Sequence, residues 1–215
     1  GHSLGEYTAL VIADAIDFQD ALILVRERGR LMEEASRAQP GAMAALLGLD
    51  EATVEGVCRE TGTEIANRNC PGQIVVAGRP EAVQRATELA GQRGGRSLML
   101  NVSGAFHTSH MGSAARALAQ AIDDAPIREP RIPVVANASA RPLASAEEIR
   151  EELKRQLLSP VLWQPSMEVM LAAGVRRFLE IGPGRVLSGL IKRIDGAASA
   201  LSVNGLAALS RLSDD

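Results

Sequence analysis

The sequence predicts an α/β fold, and three observations carry that prediction. Short apolar runs bounded by Gly or Pro alternate with longer segments whose apolar residues recur every three to four positions. The chain opens on Gly1-His2-Ser3-Leu4-Gly5, a G-x-S-x-G turn of the kind that joins a strand to a helix. A block from about 41 to 103 reads β-α-β-β-α-β, the order of a ferredoxin-like unit. With 215 residues and an apolar fraction of 46%, the chain suits one large domain, or a domain carrying a smaller insert.

The elements follow in order. After the opening turn, Glu6 to Ala13 continues as a largely apolar helix, and the chain is expected to pass so close that a Cβ at either Gly1 or Gly5 would collide. Asp17 is placed to cap a helix from Phe18 to about Ala38. On it Ala21, Leu24, Val25, Arg28, Leu31 and Met32 share one face, so Arg28 is the lone charge on an apolar stripe. Such an arginine either pairs inside the core or faces a pocket, where its fork suits a carboxylate. Then come a strand (41–49), a helix (50–61) capped by Asp50, a strand (63–67) and a turn over Asn69-Cys70-Pro71-Gly72. A strand (73–77), a helix (80–91) with Pro80 in its first turn and a strand (96–102) complete the block. Beyond it, helices are expected over 111–123, 145–158 with Ser145 and Glu148 as a capping box, 165–173 and 185–194. Strands are expected over 132–136, 177–181 and 201–204, with 211–215 frayed.

Charge and composition exclude several function classes. A net charge of −3 gives no footprint for nucleic acid. No apolar run reaches membrane-spanning length. Cys58 and Cys70 lack metal-ligand spacing and read as small packed side chains of a reducing compartment, here the cytoplasm. The Gly182-Pro183-Gly184 turn matches neither phosphate-binding glycine pattern.

Chemistry concentrates at Ser3. On such a turn the hydroxyl stands clear of the backbone, and the Leu4 N–H at the helix start can hold an oxyanion. Two of the three histidines, His107 and His110, lie together in a polar loop, and either could serve as the general base.

The longer string Gly1-His2-Ser3-Leu4-Gly5-Glu6-Tyr7 resembles the active-site motif of the malonyl-CoA:acyl carrier protein transacylases and the acyltransferase domains of fatty-acid and polyketide synthases. Asn69 to Gln73, Gly104-Ala105-Phe106-His107 and Glu180 to Gly184 match further family motifs in the right order, so the resemblance covers essentially the whole chain. It implies an α/β-hydrolase-like large subdomain (1–39 and 106–215), whose parallel sheet is incomplete at the N-terminus, with the ferredoxin-like subdomain (40–105) inserted.

The resemblance also implies the site. Ser3 is the nucleophile and His107 the base, with His110 a bystander. Arg28 takes the malonyl carboxylate, and His2, Asn69 and Phe106 line the substrate. In Ser159-Pro160-Val161-Leu162-Trp163, where relatives carry a similar string, it assigns the Leu162 carbonyl to orienting the histidine. The implied reaction moves a malonyl group from malonyl-CoA to the phosphopantetheine thiol of an acyl carrier protein. It needs no metal or bound cofactor. The family's second oxyanion donor, a glutamine in an early loop, and the strand leading into the turn have no counterpart in the sequence. Residues 1–215 alone are therefore expected to be insoluble or molten and inactive. The alternative within the class is the acyltransferase domain of a polyketide synthase with a related extender unit. From a different class, a serine esterase uses such a turn but places its histidine late in the chain, and here about half the chain follows His110.

Overall fold

The computed structural model describes residues 1–209; the tail expected to fray, 211–215, lies outside the described residues. The fold is α/β. Helix α1 (Leu4–Ile12) rises directly from Ser3, and α2 (Phe18–Ala38) returns beside it. On α2 the buried residues Ala21, Leu24, Arg28, Leu31 and Ala35 form one stripe at helical spacing, and Arg28 sits in the middle of it. Asp17 precedes α2 as expected, but its side chain makes no capping bond. It pairs instead with Arg128 at 2.7 Å, where Asp14 also binds.

The central block follows as β1 (Ala42–Leu47), α3 (Glu51–Thr61), β2 (Glu64–Cys70), β3 (Gln73–Gly78), α4 (Pro80–Gln92) and β4 (Arg96–Met99). The four strands form one antiparallel sheet in the order β2-β3-β1-β4. Asp50 caps α3 by accepting the Thr53 N–H at 2.8 Å. Strand β2 runs three residues longer than its apolar pattern suggests and takes in Asn69 and Cys70, so the turn shrinks to Pro71-Gly72. The added residues pair with β3, Arg68 opposite Ile74 and Cys70 opposite Gln73, and a further partner reaches the middle of β2 from outside the sheet. The Val161 N–H donates to Ala66 O, and the Arg68 N–H donates to Val161 O, both at 2.9 Å.

The sheet has two faces, as alternation along its strands requires. Leu46, Ile74 and Val76 pack under α3 and α4 with Val54, Val57, Ala86 and Ala90. Met43, Ala45, Val75 and Ala77 face the other way and meet Ala105 and Phe106. That second face turns the sheet toward Ser3's surroundings.

After a 3-10 turn (Ser109–Met111) come α5 (Gly112–Asp124), the short strands β5 (Val134–Val135) and β6 (Pro142–Leu143), α6 (Ala146–Gln156) and α7 (Trp163–Ala172). The apolar run 132–136 thus yields two strand residues in an antiparallel hairpin rather than a full strand. Ser145 caps α6 by accepting the Glu148 N–H, and Glu148 reaches back to the N–H of Ala144, one residue before the cap. Helix α7 begins two residues before Pro165, which stands in the first turn where its missing N–H costs nothing. Then β7 (Arg177–Ile181), α8 (Val186–Ile194), β8 (Ser199–Val203) and α9 (Leu206–Leu209) follow. Among the described strands only β7 and β8 pair in parallel. The main helical core joins α1, α2, α5 and α6 through Tyr7, Leu10, Leu24, Leu31, Leu118, Ile122, Ile149 and Leu153.

Candidate active site

Ser3 sits at φ 50°, ψ −104°, a backbone conformation that costs a non-glycine residue on the order of 1–3 kcal/mol. Gly1 makes it possible: a Cβ there would lie 2.0 Å from Gly5 O. Gly5 itself has open space, so only the first of the two glycines is sterically required. Asn137 locks the turn from the β5–β6 hairpin. Its side-chain carbonyl accepts the Ser3 N–H at 2.6 Å, and its amide donates to Gly1 O at 2.8 Å. Leu4 opens α1, so its N–H has no partner within the helix and is free for an oxyanion.

Two side chains converge on the Ser3 hydroxyl. It lies 2.8 Å from His107 Nε2, and Arg28 Nη2 donates to it at 2.8 Å. His107 is itself at φ 60°. Its Nδ1–H donates to the main-chain carbonyl of Gln156 at 3.0 Å, which leaves Nε2 as the acceptor facing serine. Burial pushes the His107 imidazole down to about 4, so it rests neutral and able to take a proton. Arg28 is buried, and among the described residues no carboxylate pairs with it. Its Nη2 also donates to Gln156 Oε1 at 3.2 Å, its guanidinium lies 5.7 Å from the Tyr7 ring centroid, and its Nε has no partner. Desolvation lowers its affinity for its proton, but an arginine remains charged.

The small sheet supplies the third wall. Asn69, at the end of β2, accepts from His2 Nε2 at 3.1 Å, and the His2 ring lies 5.6 Å from Trp163. Phe106 is half-buried between the helical core and the inner face of the small sheet. This is a serine with a neutral base, a free oxyanion donor and an unpaired buried cation, the equipment for attack on an acyl group that carries a negative charge.

The family model for the acyl transferase domain matches residues 1–209. The chain belongs to that family. A malonyl CoA-acyl carrier protein transacylase of Bacillus subtilis is 44% identical over 210 residues, which cover 95% of this chain and 66% of that protein. The Escherichia coli K12 enzyme of the same name is 43% identical, covering 98% of this chain and 70% of its own length. The chain thus spans roughly two thirds of these relatives. A crystal structure of a malonyl-CoA:acyl carrier protein transacylase from Xanthomonas oryzae superposes with a TM-score of 0.96 at 44% identity, over all of this chain and 70% of that one. A malonyl-transacylase in complex with a type II PKS acyl carrier protein reaches the same TM-score at 43% identity, over all of this chain and 72% of that one.

Within this acyltransferase site the structure brings Ser3, Leu4, His2, Arg28, Asn69 and His107 together, and Phe106 precedes His107 with its ring packed between the helical core and the small sheet. It separates the two histidines: His110 lies in the 3-10 turn, with its N–H on Thr108 Oγ1 and no bond to Ser3. One expectation is corrected. The carbonyl that holds His107 is that of Gln156, not Leu162. Leu162 precedes α7, and its carbonyl is occupied by the Ser166 N–H at 3.0 Å and hydroxyl at 2.7 Å. Gln156 ends α6, where last-turn carbonyls have no partner in their own helix.

Sequence reading also passed over the polar cluster beneath the serine. Glu6 is fully buried; its Oε1 accepts the Asn137 N–H at 2.9 Å, and its Oε2 accepts from Gln156 Nε2. The Gln156 amide donates as well to Ser3 O at 3.1 Å. Burial pushes the Glu6 carboxyl up to about 7, with the charge of Glu152 adding to the effect. A signal was available: Ile149, Glu152, Leu153 and Gln156 are all buried on one face of α6, so two polar residues stand in an apolar stripe.

Proposed function

We propose that this acyltransferase moves a malonyl group from malonyl-CoA to the phosphopantetheine thiol of an acyl carrier protein in fatty-acid synthesis, through a malonyl-serine on Ser3. The observation that carries the substrate is Arg28: a buried, unpaired guanidinium with one amino group on the nucleophile and its Nε unused. A free carboxylate one methylene beyond the reacting carbon would complete that cation with a bidentate pair.

In the first step the Ser3 hydroxyl proton passes to His107 Nε2 while its oxygen attacks the thioester carbon. The Leu4 N–H holds the oxyanion, the carbon–sulfur bond breaks, and the coenzyme A thiolate leaves with the proton from His107. The carrier thiol then gives its proton to His107 and attacks the malonyl ester, and Ser3 recovers its proton. His2, Asn69 and Phe106 line the acyl group, and the Gln156 carbonyl keeps the His107 tautomer that makes Nε2 a base. The relatives' names support the same donor and acceptor, and the complex of a similar transacylase with its carrier protein supports a protein partner.

The same reading gives the architecture. Residues 1–39 and 106–215 form an α/β-hydrolase-like subdomain in the cytoplasmic enzyme, and 40–105 a ferredoxin-like insert whose second face closes the site. The β2-β3-β1-β4 order and the turn from Ser3 into α1 support it. No described helix is long and apolar enough to cross a membrane. The test is intact mass after mixing with malonyl-CoA, on the protein expressed as its gene encodes it, with any residues that precede Gly1. A gain of one malonyl group, lost on adding carrier protein and absent in Ser3→Ala, is expected. No adduct on a folded protein overturns the reading.

A further inference from the structure

Beneath the reacting atoms lies a chain of buried groups that the reaction as written does not use. It runs from Glu6 on α1 through the Gln156 side chain on α6 to Arg28 on α2. Each contact has a required polarity. A guanidinium can only donate, so Gln156 must turn Oε1 toward Arg28. Its Nε2 then faces Ser3 O and Glu6 Oε2, both of which must accept. The other Glu6 oxygen faces the fixed backbone N–H of Asn137 at 2.9 Å. Both carboxylate oxygens therefore meet N–H donors, which favour the ionised form of Glu6 against the burial that raises its pKa.

We infer that Glu6 is a positioning residue for acyl-group selection: through the Gln156 amide it fixes the pose in which Arg28 meets an acyl carboxylate. The inference rests on Ser3 and Arg28 acting as proposed above. The reason is geometric. Among the described residues Arg28 has no carboxylate partner, so what aligns its Nη2 with Ser3 Oγ is its other acceptor there, Gln156 Oε1, and Glu6 holds that amide from behind. His107 is held by the main-chain carbonyl of Gln156, which does not depend on how the side-chain amide is turned. Acyl selection and base orientation thus pass through one residue by separate atoms.

Glu6→Gln separates them. The new amide can satisfy the Asn137 N–H with its oxygen, which puts its NH2 against the Gln156 NH2. Two donors cannot share that contact, so the Gln156 amide inverts and presents a donor to Arg28. The guanidinium then leaves its pose, while Ser3, Leu4 and His107 keep theirs.

The measurement is Ser3 acylation by malonyl-CoA and by acetyl-CoA, with kcat and KM separated, on the protein expressed as its gene encodes it. In Glu6→Gln, malonyl kcat/KM is expected to fall roughly 10- to 100-fold, the consequence of opposing two buried donors. Acetyl transfer should change only a few-fold, so selectivity for malonyl narrows. Gln156→Met cuts the same chain in the middle and leaves the His107 carbonyl in place. It should give the same selective loss, and the double variant should lose no more than the larger single loss. Should Glu6→Gln fail to fold, Gln156→Met decides alone. Equal loss of malonyl and acetyl transfer, or no loss of either, overturns the inference and leaves the proposed function standing. A folded wild-type protein that takes up no malonyl overturns the function, and this inference with it.

Discussion

The two halves of the site are built on opposite terms. The small sheet and its helices α3 and α4 close an apolar core in the ordinary way, with Leu46, Val54, Val57, Val76, Ala86 and Ala90 all fully buried. Beneath Ser3 the helical core instead encloses Glu6, Arg28, Asn137, Glu152 and Gln156. Burying such groups costs stability unless each is bonded, and the bonds must then meet in a defined pattern. The large region also leaves apolar side chains in the open on β7 and α8: Leu179, Ile181 and Val186. One region spends its interior on holding shape; the other spends it on placing charge.

The largest effect that would break this contrast is at the nucleophile. Ser3→Ala removes one oxygen from a turn that Asn137 and Gly1 already lock, so acylation should vanish while the fold persists. Malonylation of the variant, read by intact mass, would place the nucleophile elsewhere.

Next comes Arg28→Ala. Removing the buried cation should lower malonyl transfer by on the order of 10²–10³, since losing one partner of a desolvated pair costs about 2–5 kcal/mol. Acetyl transfer, with no carboxylate to lose, should hold or rise. Equal losses for both would make Arg28 a packing residue.

The opposite experiment strikes the small sheet. Leu46→Ala should cost about 2–5 kcal/mol of unfolding stability through the cavity it leaves. Below its melting point the variant should still acylate Ser3 at the parent rate. Residues 41–103 expressed alone should melt cooperatively, because their main core lies within the block; a non-cooperative melt would show that the sheet needs the rest of the chain.

The smallest effect is in the pH dependence, where the two buried titrating groups pull in opposite directions. His107 falls to about 4 in the fold from an ordinary 6.5. The unfolded chain holds more protons in that window, so this contribution falls as pH drops through it. Glu6 rises to about 7 from an ordinary 4.5, so the folded state holds more protons there and its contribution falls as pH rises. Between pH 4.5 and 6.5 the two offset. Glu6→Gln deletes one side, and the variant's melting temperature should drop relative to wild type as pH falls from 7 to 4.5. Parallel curves would mean that Glu6 does not titrate as its burial implies.

The sequence by itself determined the elements whose signals are local. A serine flanked by glycines gave the turn, the 3.6-residue period placed Arg28 on the buried face of α2, and Asp50 and Ser145 marked the starts of their helices where the structure has them. Only the tertiary structure decided which groups meet. Gly5 turned out to have room, because the turn crowds one glycine and not the other. Strand β2 grew to Cys70 because its pairing with β3 continues to the turn, Cys70 opposite Gln73, while Val161 pairs with its middle. The carbonyl that holds His107 belongs to Gln156 and not to Leu162, since the start of α7 uses one and the end of α6 frees the other. Glu6, Asn137 and Gln156 look like ordinary polar residues in three unrelated segments. What makes them a site is that their donors and acceptors close around Ser3, and hydrogen-bond partners more than 100 residues apart leave no spacing to read.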